Sequence, residues 1–330
     1  MKRAARVLML ALAGLTLGAC ALDGPQSGVA PLGPVADRQY YTFLVSFYVS
    51  LLIFVCVGSL IVYSVLRFRH KGEIDRNSPL PDQSHGSTRL EMALIAISIV
   101  LVLVIVVPSV QGMIYAGTLQ NPEEDVLVIN VTGYQWWWKF EYPKEGVVTA
   151  NEVAIPVGKP IKFNLATNDV IHSFWVPRLA GKVDMMPNQK NWLWLQAVTP
   201  GEYYGQCVEF CGESHAFMRF RVRALESNQY QDWVTHQKSD AKAPVDPLAR
   251  RGKDLFKAKF CVGCHMIRGD NPGGNVAPDL THFGSRGTLA AGLMENNAEN
   301  LARWLTDPGS IKPGNMMAAA FMHPDPRPEW

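Results

Sequence analysis

Residues 207–218 read C-V-E-F-C-G-E-S-H-A-F-M, which places Cys207, Glu209, Cys211, His215 and Met218 within one short stretch. Few structural needs gather two thiols, an imidazole and a thioether so tightly. Thiolate, thioether and imidazole are soft ligands that together favour copper over hard cations, and a mononuclear blue site needs only one cysteine with two histidines. Here there are two cysteines. In an exported protein the competing reading is a disulfide between Cys207 and Cys211.

Around this stretch, from about Val126 to Val222, short β-rich runs alternate with Gly and Pro: V-L-V-I-N-V, Q-W-W-W-K-F-E-Y, I-K-F-N-L-A-T and W-L-W-L-Q-A. Branched and aromatic runs bounded by turn residues read as strands, and strands at this spacing predict an all-β sandwich or barrel. The expected domain covers 116–224. Residues 225–249 then turn polar, with a short helix expected around Gln231 and then S-D-A-K-A-P-V-D-P, which reads as a linker. A flexible linker of about a dozen residues spans roughly 20 Å, so the module that follows is expected to be a tethered one at millimolar effective concentration.

Residues 250–330 form a small helical, loop-rich module, too small to be stable without a staple. They contain Cys261, Cys264 and His265 as C-x-x-C-H, the pattern of c-type haem attachment. Two thiols one turn apart can each bond a porphyrin vinyl group while the adjacent histidine reaches the iron. A thioredoxin-like pair would want a preceding strand, and zinc would want a second pair of ligands nearby; neither is present. The second iron ligand must come from far along the chain, and Met316, Met317 and Met322 are the candidates. His/Met ligation raises the haem potential, which suits an electron carrier.

On the N-terminal side, residues 40–66 are almost wholly apolar and exceed the roughly 20 residues a helix needs to cross a bilayer. A second apolar run extends from Met92 to Met113, and the two predict a transmembrane hairpin within 40–115. The connection between them carries Arg67, Arg69, Lys71, Arg76 and Arg89, so the positive-inside rule puts it in the cytoplasm and both flanks outside. Cys56, in mid-helix, reads as inert packing. The chain begins with Lys2, Arg3 and Arg6, an apolar run and L-G-A-C ending at Cys20. That is a secretory signal layout over 1–19, with Cys20 as the expected acylated residue of an external segment 20–39. Lysine plus arginine (31) and aspartate plus glutamate (29) nearly cancel over the 330 residues, so no basic stripe argues for nucleic acid.

The stretch C-x-E-x-C-G-x-x-H-x-x-M resembles the copper-A loop of cytochrome c oxidase subunit II, and His172 in H-S-F-W-V-P stands where that family has its upstream histidine. The order of hairpin, copper domain, linker and haem domain is similar to that of bacterial haem–copper oxidases with a fused cytochrome c. The resemblance implies a cupredoxin-like sandwich in which Cys207 and Cys211 bridge two coppers and His172, His215, Met218 and the Glu209 carbonyl complete the coordination. The Glu209 side chain is then expected to bind magnesium at the subunit I interface. Trp136 would be the point where electrons enter above the copper, whereas Trp137 and Trp138 read equally as strand aromatics. In the haem domain, W-L-T-D-P-G-S-I-K-P-G-N-M-M is similar to the distal loop of cytochrome c and selects Met317, although A-A-A follows it where the family often has proline. Pro278 matches the loop that packs against haem. Asp184 reads equally as a solvated carboxylate, and His236, His282 and His323 match no ligand position.

The implied activity is that of the electron-accepting subunit of a proton-pumping oxidase in the bacterial inner membrane, with the termini and both cofactor domains on the periplasmic side. Its implied partners are subunits I and III, membrane lipid, and a donor such as a cytochrome c or a quinol–cytochrome c reductase. Three other readings stand beside it. A quinol oxidase subunit II would typically lack the copper ligands, a copper-A nitric oxide reductase would differ in its partner subunit, and a free-standing lipoprotein carrier would have little use for two membrane helices.

Overall fold

A computed structural model of the chain describes residues 22–69, 86–118, 126–271 and 273–318. The expected signal peptide and Cys20, the loop cations Lys71 and Arg76, and Met322 and His323 lie outside the described residues. The chain divides into two compact units, one of residues 38–118 and one of residues 1–37 with 119–330.

The smaller unit is built on helices α1 (Pro34–Phe68) and α2 (Thr88–Gly117), both long and apolar enough to cross a membrane. Each extends past the apolar core of the expected span. Polar hydroxyls turn back on their own helices: Ser98 Oγ donates to the Leu94 carbonyl at 2.9 Å and Ser109 Oγ to the Ile105 carbonyl at 2.7 Å. The Arg38 guanidinium, near the start of α1, lies 5.0 Å from the ring of Tyr115, near the end of α2, which fixes the pair as an antiparallel hairpin.

In the larger unit ten strands form two five-stranded sheets. They are β1 (Leu127–Tyr134), β2 (Trp137–Tyr142), β3 (Val147–Ala150), β4 (Glu152–Pro156), β5 (Ile161–Thr167), β6 (His172–Trp175), β7 (Val183–Met185), β8 (Asn191–Leu195), β9 (Gly201–Cys207) and β10 (Arg219–Leu225). One sheet has the order β3-β2-β1-β5-β8 and the other β4-β10-β9-β6-β7. The period of two in β1 and β5 turns Ile129, Val131, Ile161 and Phe163 inward. Trp138 from the first sheet meets Phe174 and Phe220 from the second at 5.6 and 5.2 Å, and burial of each such side chain stabilises the sandwich by about 1.5–3 kcal/mol. Residues 30–36 lie along this sandwich: Leu32 N donates to the Arg178 carbonyl at 2.7 Å, and Val198 N donates to the Leu32 carbonyl at 3.1 Å.

Residues 225–249 do not act as one tether. Helix α3 (Ser227–Lys238) packs back on the sandwich, with Trp233 5.3 Å from Tyr142 and Tyr230 and Val234 buried. The pair Asp246-Pro247 is itself a helix start: the Asp246 carboxylate caps Leu248 N and Ala249 N at 2.8 and 3.1 Å, and α4 runs Pro247–Ala258. Between the helices, Ala241 N donates to the Arg268 carbonyl at 3.0 Å, while the Arg268 guanidinium binds the carbonyls of Gln237 and Ser239.

The C-terminal module carries a 3-10 turn at Cys261–Gly263, helices α5 (Ala298–Thr306) and α6 (Pro308–Ile311), and a small antiparallel ribbon that the all-α expectation lacked, β11 (Thr288–Leu289) with β12 (Met294–Glu295). That ribbon is used for docking. The buried Glu152 carboxylate of β4 accepts from Thr288 N and Thr288 Oγ1, both at 2.7 Å, and from Gly287 N at 3.2 Å. Arg221 of β10 donates to the Gly292 carbonyl at 3.0 Å. The module is therefore seated on the sandwich, which corrects the expectation of a loosely tethered one.

Candidate metal and cofactor sites

The copper-type stretch begins at the last residue of β9 and returns at the first of β10, closed by Cys207 N donating to the Met218 carbonyl at 2.9 Å. Pairing of β6 with β9 sets Phe174 opposite Cys207 and brings fully buried His172 alongside it. Sequence-distant residues thus meet: Cys207 Sγ lies 3.7 Å from Cys211 Sγ, 3.8 Å from His172 Nδ1 and 3.2 Å from the Glu209 carbonyl oxygen. Cys211 Sγ lies 3.5 Å from His215 Nδ1 and 3.9 Å from Met218 Sδ. All six expected donors converge. The sulfurs stand well apart from the roughly 2.05 Å of a disulfide, and both cysteines are free.

The two thiols behave as a pair. The hydrogen bond shared with Cys211 holds the Cys207 thiol down to about 4 against the effect of burial, with further help from His172. Cys211 is pushed up by the same bond and by burial. One proton leaves readily and the other is shared, so a metal ion that displaces the shared proton finds two thiolates. Burial opposes charge on His172, but hydrogen bonds with Asp169 and Cys207 outweigh it and raise its pKa.

Asp169 was not singled out by the sequence. Its Oδ1 lies 2.7 Å from His172 Nε2 and its Oδ2 accepts from Gln135 N at 2.7 Å, which orients the imidazole so that Nδ1 faces the thiols. The available signal was an aspartate three residues before the histidine. The Glu209 side chain turns away from the sulfurs toward Lys182, at 3.9 Å, and Lys182 also lies 3.5 Å from half-exposed Asp184.

In the C-terminal module the backbone turn brings His265 N onto the Cys261 carbonyl at 3.0 Å, so Cys261, Cys264 and His265 share one edge. His265 Nδ1 donates to the Pro278 carbonyl at 2.7 Å. That bond leaves Nε2 free for a metal and gives Pro278 a positioning part. Burial lowers the His265 pKa. His265, Met316, Met317, Trp136 and Trp137 line one cavity of about 210 Å³, where a water needs only roughly 10–15 Å³. Met316 is 61 % exposed while Met317 is half-buried. Trp138 is a core residue, and Trp137 stacks on Tyr134 at 4.6 Å. Trp136 is only 8 % exposed. Trp136, the expected point of electron entry, is covered by the C-terminal module.

Two cations at this cavity, half-buried Arg286 and buried Lys312, also escaped the sequence reading. Arg286 gives one N–H to the Asp279 carbonyl but leaves Nε unpaired. Lys312 reaches the carbonyls of Trp136 and Ala290 at 2.5 and 3.3 Å, and burial pushes it down to about 7, with Cys211 acting the other way. Of the histidines outside the donor set, His282 is buried against exposed His236, with ring centres 4.6 Å apart.

Residues 145–225 match the family "Cytochrome C oxidase subunit II, periplasmic domain", and residues 249–326 match "Cytochrome c". Along most of its length the chain is similar to cytochrome c oxidase subunit 2 of Alkalihalophilus pseudofirmus, 38% identical over 321 residues that cover 96% of this chain and 92% of that one. The chain belongs to the cytochrome c oxidase subunit 2 family. Subunit 2 of Bacillus sp. strain PS3 is 40% identical over 314 residues, covering 90% of this chain and 86% of its own. Quinol oxidase subunit 2 of Bacillus cereus is 34% identical over 222 residues, reaching 67% of this chain and 75% of its own. The chain is thus subunit II of a haem–copper oxidase, a membrane protein with a cytochrome c domain, and its two domains imply copper and haem. The donor set fits copper because it is soft and nearly dry. The cavity fits haem because a free histidine nitrogen, a methionine and the unpaired Nε of Arg286 border one largely apolar space.

Proposed function

We propose that this subunit relays electrons from a covalently bound haem c through a dinuclear copper-A centre to haem–copper subunit I, which reduces oxygen to water and pumps protons. The observation that carries this reading is the convergence of six donor atoms at one end of the sandwich, with Trp136 between them and the cavity lined by His265 and Met317. In this reading Cys207, Cys211, His172, His215, Met218 and the Glu209 carbonyl would hold two coppers. Cys261 and Cys264 would bond the haem, and His265 and Met317 would ligate its iron. Copper and haem supply one-electron chemistry when bound.

The chain's own residues prepare that chemistry. Asp169 fixes His172, the Pro278 carbonyl fixes His265, and Arg286 offers positive charge to the haem carboxylates. The outward turn of Glu209 supports its use as a magnesium ligand at the subunit I interface. Residues 30–36, which lead into the first turn of α1, are bonded to the sandwich, which supports a topology with the N-terminal segment and both cofactor domains on the periplasmic side of the inner membrane. Subunit III, an external cytochrome c or quinol–cytochrome c reductase as donor, and acylation of Cys20 belong to the same proposal.

The test is electron paramagnetic resonance with metal quantification on the intact oxidase complex. A multi-line mixed-valence signal is expected, with two coppers per haem c beyond the copper of subunit I, and Cys207→Ser should remove it and stop haem oxidation while leaving the haem attached. Oxygen uptake unchanged by Cys207→Ser would refute the relay.

A further inference from the structure

The indole of Trp136 is held between loops of two different domains. On one side lies Gly212 of the copper loop, where an added Cβ would meet the ring at 3.0 Å, and on the other lies Gly314 of the haem domain, where it would meet the ring at 2.9 Å. Both glycines have positive φ, 114° and 72°, a region that other residues rarely adopt. Trp136 Nε1 donates to the Cys211 carbonyl at 3.0 Å, and Ser214 Oγ of the copper loop donates to the Pro313 carbonyl at 2.5 Å. The ring therefore touches the backbone of a bridging cysteine on one side and the wall of the haem cavity on the other.

Lys312 ties the haem-domain loop down. It is 4 % exposed, makes no ion pair among the described residues, and spends its Nζ hydrogens on the Trp136 and Ala290 carbonyls. An amine buried without a carboxylate is an expensive choice when an apolar side chain could fill the same volume. The distinctive product of that choice is a direct bond between the loop carrying Met317 and the backbone of Trp136.

We propose that Lys312 is a positioning residue for electron transfer between the two sites: from the haem-domain loop it binds the Trp136 carbonyl and clamps the indole as the bridge from the haem cavity to Cys211. This rests on the relay proposed above. The step served moves one electron from the haem to the copper pair, with no bond made or broken and no proton moved. Lys312 acts through Trp136 and touches no copper ligand.

The test is Lys312→Met, which keeps the apolar stem and removes the amine, in the whole oxidase complex with both cofactors present. Two quantities are compared with the unsubstituted complex: hydrogen exchange in segments 134–138 and 308–318, and the rate of haem-to-copper transfer after an electron is photoinjected at the haem. Exchange should speed up and transfer should slow, each by about tenfold, the scale on which loss of a buried hydrogen bond acts. The methionine-ligation band of the haem and the copper signal should stay as they were. Unchanged exchange or unchanged transfer overturns the proposal. Should Lys312→Met fail to assemble, Gly314→Ala drives the same loop off the ring with Lys312 intact, and transfer at the unsubstituted rate in that variant also overturns it. A complex without any haem-to-copper transfer before substitution refutes the relay and not the clamp, which the exchange measurement still decides.

Discussion

Asp169→Asn is expected to weaken copper binding by about 10–100-fold, the usual consequence of removing the partner behind a metal-bound histidine. The magnitude follows from how the carboxylate is used. Its Oδ1 lies 2.7 Å from His172 Nε2 and also accepts from Val170 N at 2.7 Å and Thr167 Oγ1 at 3.0 Å, while its Oδ2 accepts from Gln135 N at 2.7 Å. An asparagine has one acceptor oxygen, so in either orientation its NH2 faces a donor, the His172 Nε2–H or the Gln135 N–H. One hydrogen bond to a charged group is lost, about 1.5–3 kcal/mol, and at roughly 1.4 kcal/mol per factor of ten this gives the stated range. The assay is copper titration of the copper-depleted oxidase complex against a competing chelator, followed by the copper optical signal. An affinity unaltered by the substitution would refute the reasoning, because His172 would then be oriented without its carboxylate.

Other consequences can be checked separately. Met317→Leu should abolish the methionine-ligation band and lower the haem potential, whereas Met316→Leu, at a mostly exposed position, should leave both unchanged; redox titration of the two variants decides. Glu152→Gln should loosen the seat of the haem domain by about 1–3 kcal/mol, since a buried acceptor of three hydrogen bonds is half removed, and faster proteolysis within 239–246 would report it. The Asp270 carboxyl is held below the usual carboxylate range, first by Lys253 at 2.6 Å and then by Lys257 at 3.2 Å. Because its folded pKa is depressed, the stability it adds is present above the unfolded pKa and is lost as the pH falls through the folded one. Asp270→Asn should erase that acid-side loss in a thermal melt, and high salt should mimic the variant, since the pair is near the surface.

Much of the candidate site could be read from the chain because its chemistry is local. The stretch from Cys207 to Met218 needs only one tight loop between two strands to bring its donors together, and C-x-x-C-H needs only one turn. The membrane hairpin was equally legible, since length and hydropathy alone decide whether a helix can cross a bilayer. The helix start at Asp246-Pro247 is also present in the sequence, but its residues read equally as a linker, because turn chemistry and helix capping use the same residues.

The sequence by itself therefore determined which donors exist, which chemistry they suit and in what order the domains follow. Tertiary structure alone decided that His172 is backed by Asp169, that Trp136 lies under the haem domain, and that Lys312 is buried against its carbonyl. Ligand identity is a property of side-chain type and short spacing, so a one-dimensional pattern records it. Burial, orientation and contact between Trp136 and a lysine 176 positions away arise only when two separately folded surfaces meet, and no local pattern encodes which faces those are.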